Sequence, residues 1–355
     1  MARHLRFGIV GAGFWARYQL AAWHELSGVE CIAVCDRTRV KAEALARRFG
    51  IPGVYHDAEE MLQREELDFV DIITGPETHS ELVHLAARRK TPVICQKPLA
   101  PTLEAAERMV EACQHAAVPL LVHENWRWQT AIRQFHTILN STDIGRRFRA
   151  RIEMKSGFPI FENQPYLAEL DQFILADLGV HLLDVARFLF GEADSLYCQI
   201  DRAHAHIKGE DVATVMMKMG GQTTVVCEMA NADSHLERDR FPQTFIFVEG
   251  TKGSAELAPD FWVRVTTAAG TCAKRYPPPR YSWADPAYDV GHSSIVACHA
   301  NLLAALRGEA AAETTGEDNL RTLRLTFAAY ESALRDEIVR FPGARDHAAR
   351  TAEHS

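Results

Sequence analysis

A glycine-rich turn near the N-terminus is the feature that most constrains the fold of this chain. The segment GIVGAGFWA places Gly11, Gly13 and the small residue Ala16 directly after a short apolar run. Glycine permits a tight turn and a close approach of phosphates to the backbone, and a small third residue lets a helix pack on the strand. The N-terminus of that helix would offer amide donors to a pyrophosphate. The turn therefore predicts a strand–turn–helix unit that binds a dinucleotide.

Residues 1–125 continue this alternation of strand and helix. The apolar runs are RFGIVGAG, ECIAVCD, DFVDIIT, TPVICQKP and PLLVHEN. Segments of helical periodicity lie between them, at 39–49, 77–89 and 103–117. Strands that alternate with helices indicate a doubly wound parallel sheet of the Rossmann type. We therefore expect an α/β, NAD(P)-binding domain over 1–125.

The pattern changes in the second part of the chain, which has 355 residues and is long enough for two domains. The alternating runs RFRARIEMKS, SLYCQIDRAH, VATVMMKM, TTVVCEMA, QTFIFVEG and FWVRVTT predict a large, mostly antiparallel sheet. Helices are predicted at 130–140, 175–190, 292–306 and 317–335. We expect an α+β domain over 126–340 that binds substrate and forms oligomers. The polar tail, 341–355, is expected to fray.

Composition excludes several classes of partner. The net charge is −8 and no long basic run is present, which argues against binding to nucleic acid or to anionic membranes. No segment has the pattern of a signal peptide or the apolar length of a membrane span. The eight cysteines are scattered, as buried free thiols would be. These features predict a cytoplasmic protein.

Asp36 ends the second apolar run, 23 positions after Gly13 (36 − 13). A carboxylate there would bind the ribose hydroxyls of an adenosine. It favours NAD, because it would repel the 2′-phosphate of NADP. NADP remains an alternative, since the neighbouring Arg37 could contact that phosphate or stack on the adenine.

A polar line in an apolar helix is the second informative feature. In LADLGVHLLDVARFLF, helical steps of four and seven bring Asp177, His181 and Asp184 within roughly 60° of one another. A histidine beside a carboxylate suits general acid–base chemistry. Asp184 is the expected structural member, which either caps a loop or binds Arg187. Lys97 lies at the end of the fourth apolar run, TPVICQKP, and precedes a proline, so a cis peptide bond is one expectation. It would lie at the carboxyl edge of the sheet, where ligands bind.

With these motifs the chain resembles the Gfo/Idh/MocA oxidoreductase family. The similarity is in the glycine turn, TGPETH, the lysine–proline motif, the D-x-x-x-H helix and ETTGEDNLRTLRLTFAAYESA, and it spans about 5–336. The resemblance implies a Rossmann domain followed by an α+β domain whose open sheet builds a homodimer or homotetramer. It implies hydride transfer at a secondary alcohol or anomeric carbon of a sugar, sugar derivative or cyclitol. One departure is Gln96, where the family usually has glutamate, and this leaves the proton-transfer roles open.

The resemblance also implies sets of site residues. The expected catalytic group is Lys97, Asp177 and His181, with either Lys97 or His181 as the base. The expected cofactor-binding residues are Gly11, Gly13, Phe14, Trp15, Asp36, Arg37, Thr74, Pro76, His79, Gln96 and Lys97. The expected substrate-binding residues are Lys97, Asn125, Arg127, Tyr166, Asp177 and His181. No metal is expected.

Several assignments have two interpretations. Trp126 and Trp128 either wall a sugar pocket or pack between domains. His79 either fixes a loop or touches the dinucleotide. His204 and His206 lack a clear third ligand, so we expect a solvated strand rather than a metal site.

The function also has alternatives. The first is a dehydrogenase with exchangeable NAD that acts on a neutral polyol. The second is an enzyme that retains its NAD and uses transient oxidation to rearrange or cleave a glycoside. The third is a non-catalytic sensor, which the residues Lys97, Asp177 and His181 argue against.

Overall fold

The computed structural model describes residues 3–141, 143–157, 159–220, 222–232 and 243–341. Apart from Phe341, the tail expected to fray lies outside these residues. The chain forms two compact units. The first comprises residues 1–125, 280–285 and 292–321, and the second comprises 126–279, 286–291 and 322–355. Two segments from the C-terminal part of the chain, 280–285 and 292–321, therefore belong to the same compact unit as the N-terminal residues.

The first unit is built on a six-stranded parallel sheet. Its strands are β1 (Leu5–Val10), β2 (Val29–Cys35), β3 (Gly53–Tyr55), β4 (Phe69–Ile72), β5 (Val93–Gln96) and β6 (Leu120–His123), in the order β3-β2-β1-β4-β5-β6. Its N-terminal helices are α1 (Ala16–His24), α2 (Arg39–Phe49), α3 (Ala58–Arg64), α4 (Pro76–Arg88) and α5 (Leu103–Ala116). The doubly wound fold is confirmed. The short β3 was not predicted.

The strands of this sheet are apolar because both of their faces are covered. All four residues of β4 are buried, and so are the last four of β1. Phe7 of β1 stacks on Phe69 of β4 with ring centroids 4.8 Å apart, and Trp23 of α1 packs on both rings. The order of strands reverses between β1 and β4, which is where doubly wound sheets bind ligands.

The second unit contains a nine-stranded sheet in the order β14-β13-β12-β11-β7-β10-β9-β8-β15. The bounds are β7 (Arg147–Ser156), β8 (Ala193–Asp201), β9 (Val212–Met219), β10 (Thr223–Asn231), β11 (Phe245–Gly250), β12 (Gly253–Ala258), β13 (Trp262–Thr267), β14 (Gly270–Arg275) and β15 (Val339–Arg340). Strands β7 and β10 pair in parallel, and the other neighbours are antiparallel. The mostly antiparallel sheet is confirmed.

The remaining helices are α6 (Thr130–Leu139), α7 (Ile160–Asn163), α8 (Val180–Phe190), α9 (Asp289–Leu306) and α10 (Gly316–Arg335). Short 3₁₀ turns lie at Trp126–Trp128, Pro165–Glu169, Pro259–Phe261 and Pro286–Tyr288. The single helix predicted at 175–190 is a π-helical turn, Leu175–Gly179, followed by α8. One face of the large sheet packs with α6 and α8 in an apolar core. Among the described residues, no helix has the length and apolar character of a membrane span.

Candidate functional site

The glycine turn has the geometry that a dinucleotide requires. Gly11 has φ +105°, and a Cβ there would lie 2.2 Å from the Ile73 carbonyl oxygen. A Cβ at Gly13, by contrast, would meet no atom within 4 Å. The turn leads from β1 into α1, which begins at the buried Ala16. Open space beside Gly13, at the N-terminus of a helix, fits a pyrophosphate.

Asp36 links the glycine turn to the end of β2. Its Oδ2 accepts a hydrogen bond from the Ala12 amide at 2.8 Å, and its Oδ1 accepts one from the Thr38 amide at 2.7 Å. A carboxylate has about four lone-pair sites, so both oxygens keep capacity for ribose hydroxyls. Arg37 is exposed beside it.

An aromatic group, which the sequence did not predict as a unit, adjoins the glycine turn. Phe14 and Trp15 are 46% and 40% exposed, and both pack edge-on or tilted against Tyr18. The His292 ring stacks on Tyr18 with centroids 4.1 Å apart. Burial lowers the pKa of His292 to about 4. The nearby charge of Asp285 opposes this shift, and that of Arg17 adds a smaller lowering. This imidazole is therefore neutral at physiological pH.

The side chain of His79 contacts two loops at the carboxyl edge of the first sheet. Its ring is fully buried. Nδ1 lies 3.1 Å from the Leu99 carbonyl oxygen, and Nε2 lies 3.1 Å from the Thr74 carbonyl oxygen. Burial lowers the pKa of His79, although the carbonyl contacts oppose this. These contacts support the loop-fixing interpretation. Pro76 is the first residue of α4.

Lys97 follows β5 directly, as predicted, and the Lys97–Pro98 peptide bond is cis. The Gln96 side-chain oxygen accepts a hydrogen bond from the Lys97 amide at 2.9 Å. Gln96 thus holds the backbone of the lysine. Asn125 follows β6, and its side-chain amide donates to Ser294 Oγ at 2.7 Å.

In the second unit, Asp177 lies within the π-helical turn and His181 in the first turn of α8. The prediction that Asp177, His181 and Asp184 lie within roughly 60° of one another assumed one regular α-helix. A π-helical turn has more residues per turn than an α-helix, so it changes the direction in which Asp177 projects. Single π turns in α-helices are frequent at functional sites. His181 is buried and its ring stacks on Trp126 with centroids 4.6 Å apart. The Trp126 indole donates to Thr244 Oγ1 at 2.8 Å, which fixes the indole.

Arg127 and Asp184 form a buried ion pair. Arg127 Nε donates to Asp184 Oδ2 at 2.7 Å and Nη2 donates to Oδ1, while Thr322 Oγ1 also donates to Asp184. Buried charges need such partners. Asp184 is thus structural, but its observed partner is Arg127. Arg187 donates from Nε and Nη2 to the two carboxylate oxygens of Glu192. Structural pairing weakens the expectation that Arg127 binds substrate.

The remaining candidates lie in loops. Tyr166 is 59% exposed and donates to Gln164 Oε1 at 3.0 Å. His204 and His206 lie beyond the end of β8, so their predicted place on a strand is wrong. His204 Nδ1 lies 2.5 Å from Asp211 Oδ2. Within the described ranges, no three metal-ligating side chains converge.

Comparisons with known proteins agree with this geometry. The model of the "Oxidoreductase family, NAD-binding Rossmann fold" matches residues 5–124, and that of the "GFO/IDH/MocA C-terminal domain" matches 132–256. A D-apiose dehydrogenase of Paraburkholderia graminis is 40% identical over 93% of this chain and 88% of its own length. Another, from Rhizobium rhizogenes, is 38% identical over 94% of this chain and 97% of its own.

A solved structure is similar along nearly its whole length. It is an oxidoreductase from Agrobacterium radiobacter in complex with NAD⁺, L-tartaric acid and magnesium. It is 38% identical, with a TM-score of 0.93, over 95% of this chain and 98% of that chain. The family, the fold and the NAD-binding domain expected from the sequence are confirmed. This chain belongs to the GFO/IDH/MocA family of oxidoreductases, with an NAD-binding Rossmann domain.

Proposed function

We propose that this oxidoreductase transfers a hydride between a sugar and NAD, with D-apiose as the sugar. The observation that carries the proposal is the 40% identity over 331 residues to a D-apiose dehydrogenase, which includes both domains. The second relative of that name matches over 335 residues. The N-terminal domain binds NAD, and we assign substrate binding and oligomerisation to 126–340.

Three side chains carry the proposed chemistry. Bound NAD⁺ supplies the hydride acceptor, held by Gly11, Gly13 and Asp36. When the carbinol carbon loses hydride, its hydroxyl proton must leave as well, and His181 takes that proton. Asp177 orients the imidazole or a substrate hydroxyl, and the Lys97 ammonium group stabilises the developing alkoxide. That Lys97 acts together with Asp177 and His181 rests on the family resemblance.

The chemistry of D-apiose limits which carbon reacts. Its branched carbon is a tertiary alcohol and has no hydrogen to give as hydride. In the furanose ring the anomeric carbon and the neighbouring secondary alcohol remain. Oxidation at the anomeric carbon gives a lactone, and oxidation at the secondary alcohol gives a ketone. Analysis of the product therefore identifies the carbon.

A sugar screen tests the function. D-apiose, other aldoses and cyclitols are each incubated with the protein and NAD⁺, and the absorbance of NADH is followed. We expect the highest kcat/KM with D-apiose, and a higher value with NAD than with NADP, because Asp36 would repel the 2′-phosphate. NADH formation with none of these sugars would contradict the proposal. Nucleotide that survives desalting, with sugar turnover but no NADH release, would support the retained-cofactor alternative.

We also propose that the outer face of the nine-stranded sheet joins two copies of the chain. Apolar side chains lie on this face among paired charges. Met216 and Phe247 are 48% and 43% exposed in the single chain. The register places Val226 and Arg151 between them in one row across the sheet. Large exposed apolar patches usually mark interfaces.

The charges on the same face suit a self-complementary contact. Arg151 binds Glu228 at 2.5 Å, and Lys155 lies 3.6 Å from Glu153. Pairing of this kind leaves a face with little net charge, so two identical faces do not repel. Symmetric dimers require such a face.

A cytoplasmic location is supported by the cysteines. All eight lie in described residues and are free thiols, and seven of them are buried. Thiols persist in reducing compartments. Fractionation of the host cell would test this location.

A further inference from the structure

A buried glutamate caps the segment on which the proposed catalytic helix begins. The Phe173 amide donates to Glu210 Oε2 at 3.2 Å, and the Leu175 amide donates to Glu210 Oε1 at 3.0 Å. Between them, the Ile174 amide donates to the Glu210 main-chain carbonyl at 3.1 Å. Glu210 is only 5% exposed. One residue thus binds three consecutive amides.

Tyr330 of α10 completes this cap. Its hydroxyl accepts a hydrogen bond from the Ala176 amide at 3.1 Å and donates to Glu210 Oε1 at 2.7 Å. Burial and the neighbouring charge of Glu210 raise the pKa of Tyr330, so the hydroxyl keeps its proton. The tyrosine therefore acts as acceptor and donor at once.

Together, Glu210 and Tyr330 bind the four amides of residues 173–176. These are the amides that a helix start leaves without an intrahelical acceptor. The next amide, that of Asp177, bonds to the Phe173 carbonyl at 2.8 Å and begins the helix. A carboxylate at a helix N-terminus is also favoured by the helix dipole. The cap thus fixes where the π-helical turn begins.

We propose that Glu210 and Tyr330 are positioning residues that set the rotation and depth at which Asp177 and His181 meet the substrate. This inference rests on the proposed function of those two side chains. Asp177 lies one residue beyond the last capped amide, so a change in the cap moves it directly. A misplacement of about 1 Å at reacting groups can cost about 100-fold in rate.

The test compares two cap variants with a matched control. Glu210→Gln keeps the shape but replaces one acceptor by a donor that faces amide hydrogens. Tyr330→Phe removes only the hydroxyl. The control, Ser332→Ala, lies on the same helix as Tyr330 and removes a buried hydroxyl that accepts from the Cys198 amide at 3.0 Å. It leaves the amides of 173–176 untouched.

Three quantities are measured for each variant: kcat and KM with D-apiose, the melting temperature, and hydrogen exchange of peptides covering 173–181. The concentration of folded protein is determined by NADH binding, and kcat is calculated from that concentration. For both cap variants we expect faster exchange at 173–181 and a fall in kcat of about 10- to 100-fold, with a much smaller change in KM. Ser332→Ala should lower the melting temperature and leave kcat near that of the wild type.

Two results would overturn the positioning role while the wild type remains active. One is full kcat in the cap variants despite faster exchange, which would make the cap a purely structural feature. The other is an equal loss of kcat in Ser332→Ala, which would show that any loss of stability lowers the rate. A wild type inactive with every sugar, by contrast, would overturn the proposed function and this inference with it.

Discussion

The imidazole of His181 stacks on the indole of Trp126, with ring centroids 4.6 Å apart and planes inclined by 22°. Trp126 is itself held by its hydrogen bond to Thr244. The plane of the imidazole is therefore fixed by a residue in the 3₁₀ turn that begins the second unit. A base must be oriented before it can take a proton in a transition state, and this stacking would provide the orientation in the role that we propose for His181.

Replacing His181 should slow the chemistry more than it weakens binding. General acid–base catalysis contributes about 10²–10⁴-fold, so His181→Ala should lower kcat by a factor in that range. NAD affinity should change little, because the glycine turn and Asp36 lie in the first unit. Steady-state kinetics and NADH titration measure both quantities.

His136→Ala is the matched control for this variant. His136 also stacks on an aromatic ring, that of Phe188, with centroids 4.2 Å apart, but it is no candidate for catalysis. It should retain its kcat. A normal kcat in His181→Ala combined with a much lower melting temperature would show that the polar line on the helix is structural.

The two glycines of the turn should respond differently to alanine. Gly11→Ala forces a side chain into a positive-φ conformation and against the Ile73 carbonyl, so it should lower both stability and NAD affinity. Gly13→Ala meets no protein atom, so it should keep its melting temperature and lose NAD affinity, because the phosphates would occupy that space. Calorimetry with NADH measures the affinities. Unchanged affinity in Gly13→Ala would place the pyrophosphate elsewhere.

Asp71 makes the first unit less stable as the pH rises. Burial raises the pKa of Asp71 from 3.8 to about 7, and the hydrogen bond from Trp23 offsets this only in part. The folded state therefore binds more protons than the unfolded state between these values. The stability that this group contributes is fully present below pH 3.8 and is lost as the pH rises through about 7.

Asp71→Asn removes this titration while keeping an oxygen for the Trp23 indole. The free energy of unfolding of the wild type should fall relative to the variant between pH 5 and pH 8, by at most a few kcal/mol. His292, whose lowered pKa acts in the opposite direction between pH 6.5 and about 4, is present in both proteins and cancels. Urea unfolding at the two pH values measures the difference. A constant difference would mean that Asp71 does not titrate in this window.

A charge placed on the outer face of the large sheet should separate the copies. Phe247→Lys replaces an exposed aromatic ring with an ammonium group in the central row of this face, and a second copy would have to remove that charge from water. Val40→Lys adds the same charge at an exposed position of α2, away from the large sheet, and serves as the control. Light scattering should give an oligomer for the wild type and the control, and the 39.7 kDa monomer for Phe247→Lys. A monomeric wild type at micromolar concentration would contradict the interface.

Local patterns in the sequence predicted most of the fold. The run over 147–156 coincides with β7, and the helix at 39–49 coincides with α2, because their periodicity is set by residues adjacent in the chain. Strand β12, whose glycine and alanines are depleted in strands, and strand β14, which is exposed throughout, were not predicted. These segments are strands because their backbones pair with neighbouring strands of the sheet.

Long-range contacts at the site could not be predicted. Glu210 and Tyr330 are 120 positions apart, and Arg127 and Asp184 are 57 positions apart. Spacing along a helix placed Asp184 on the same face as His181, but it carried no information about which cation would meet it. The cap on the amides of 173–176, which precede Asp177, brings together residues far apart in the sequence and exists only in the folded chain.

The transfer of deuterium from the sugar to the cofactor tests the central claim most directly. D-apiose labelled with deuterium at its non-exchangeable carbon positions is incubated with the protein and NAD⁺, and the reduced cofactor is analysed by mass spectrometry. Direct hydride transfer predicts one deuterium in each reduced nicotinamide, and the position of the lost label identifies the reacting carbon. Reduced cofactor without deuterium would contradict the account, and so would the absence of reduced cofactor with protein that is folded and binds NADH.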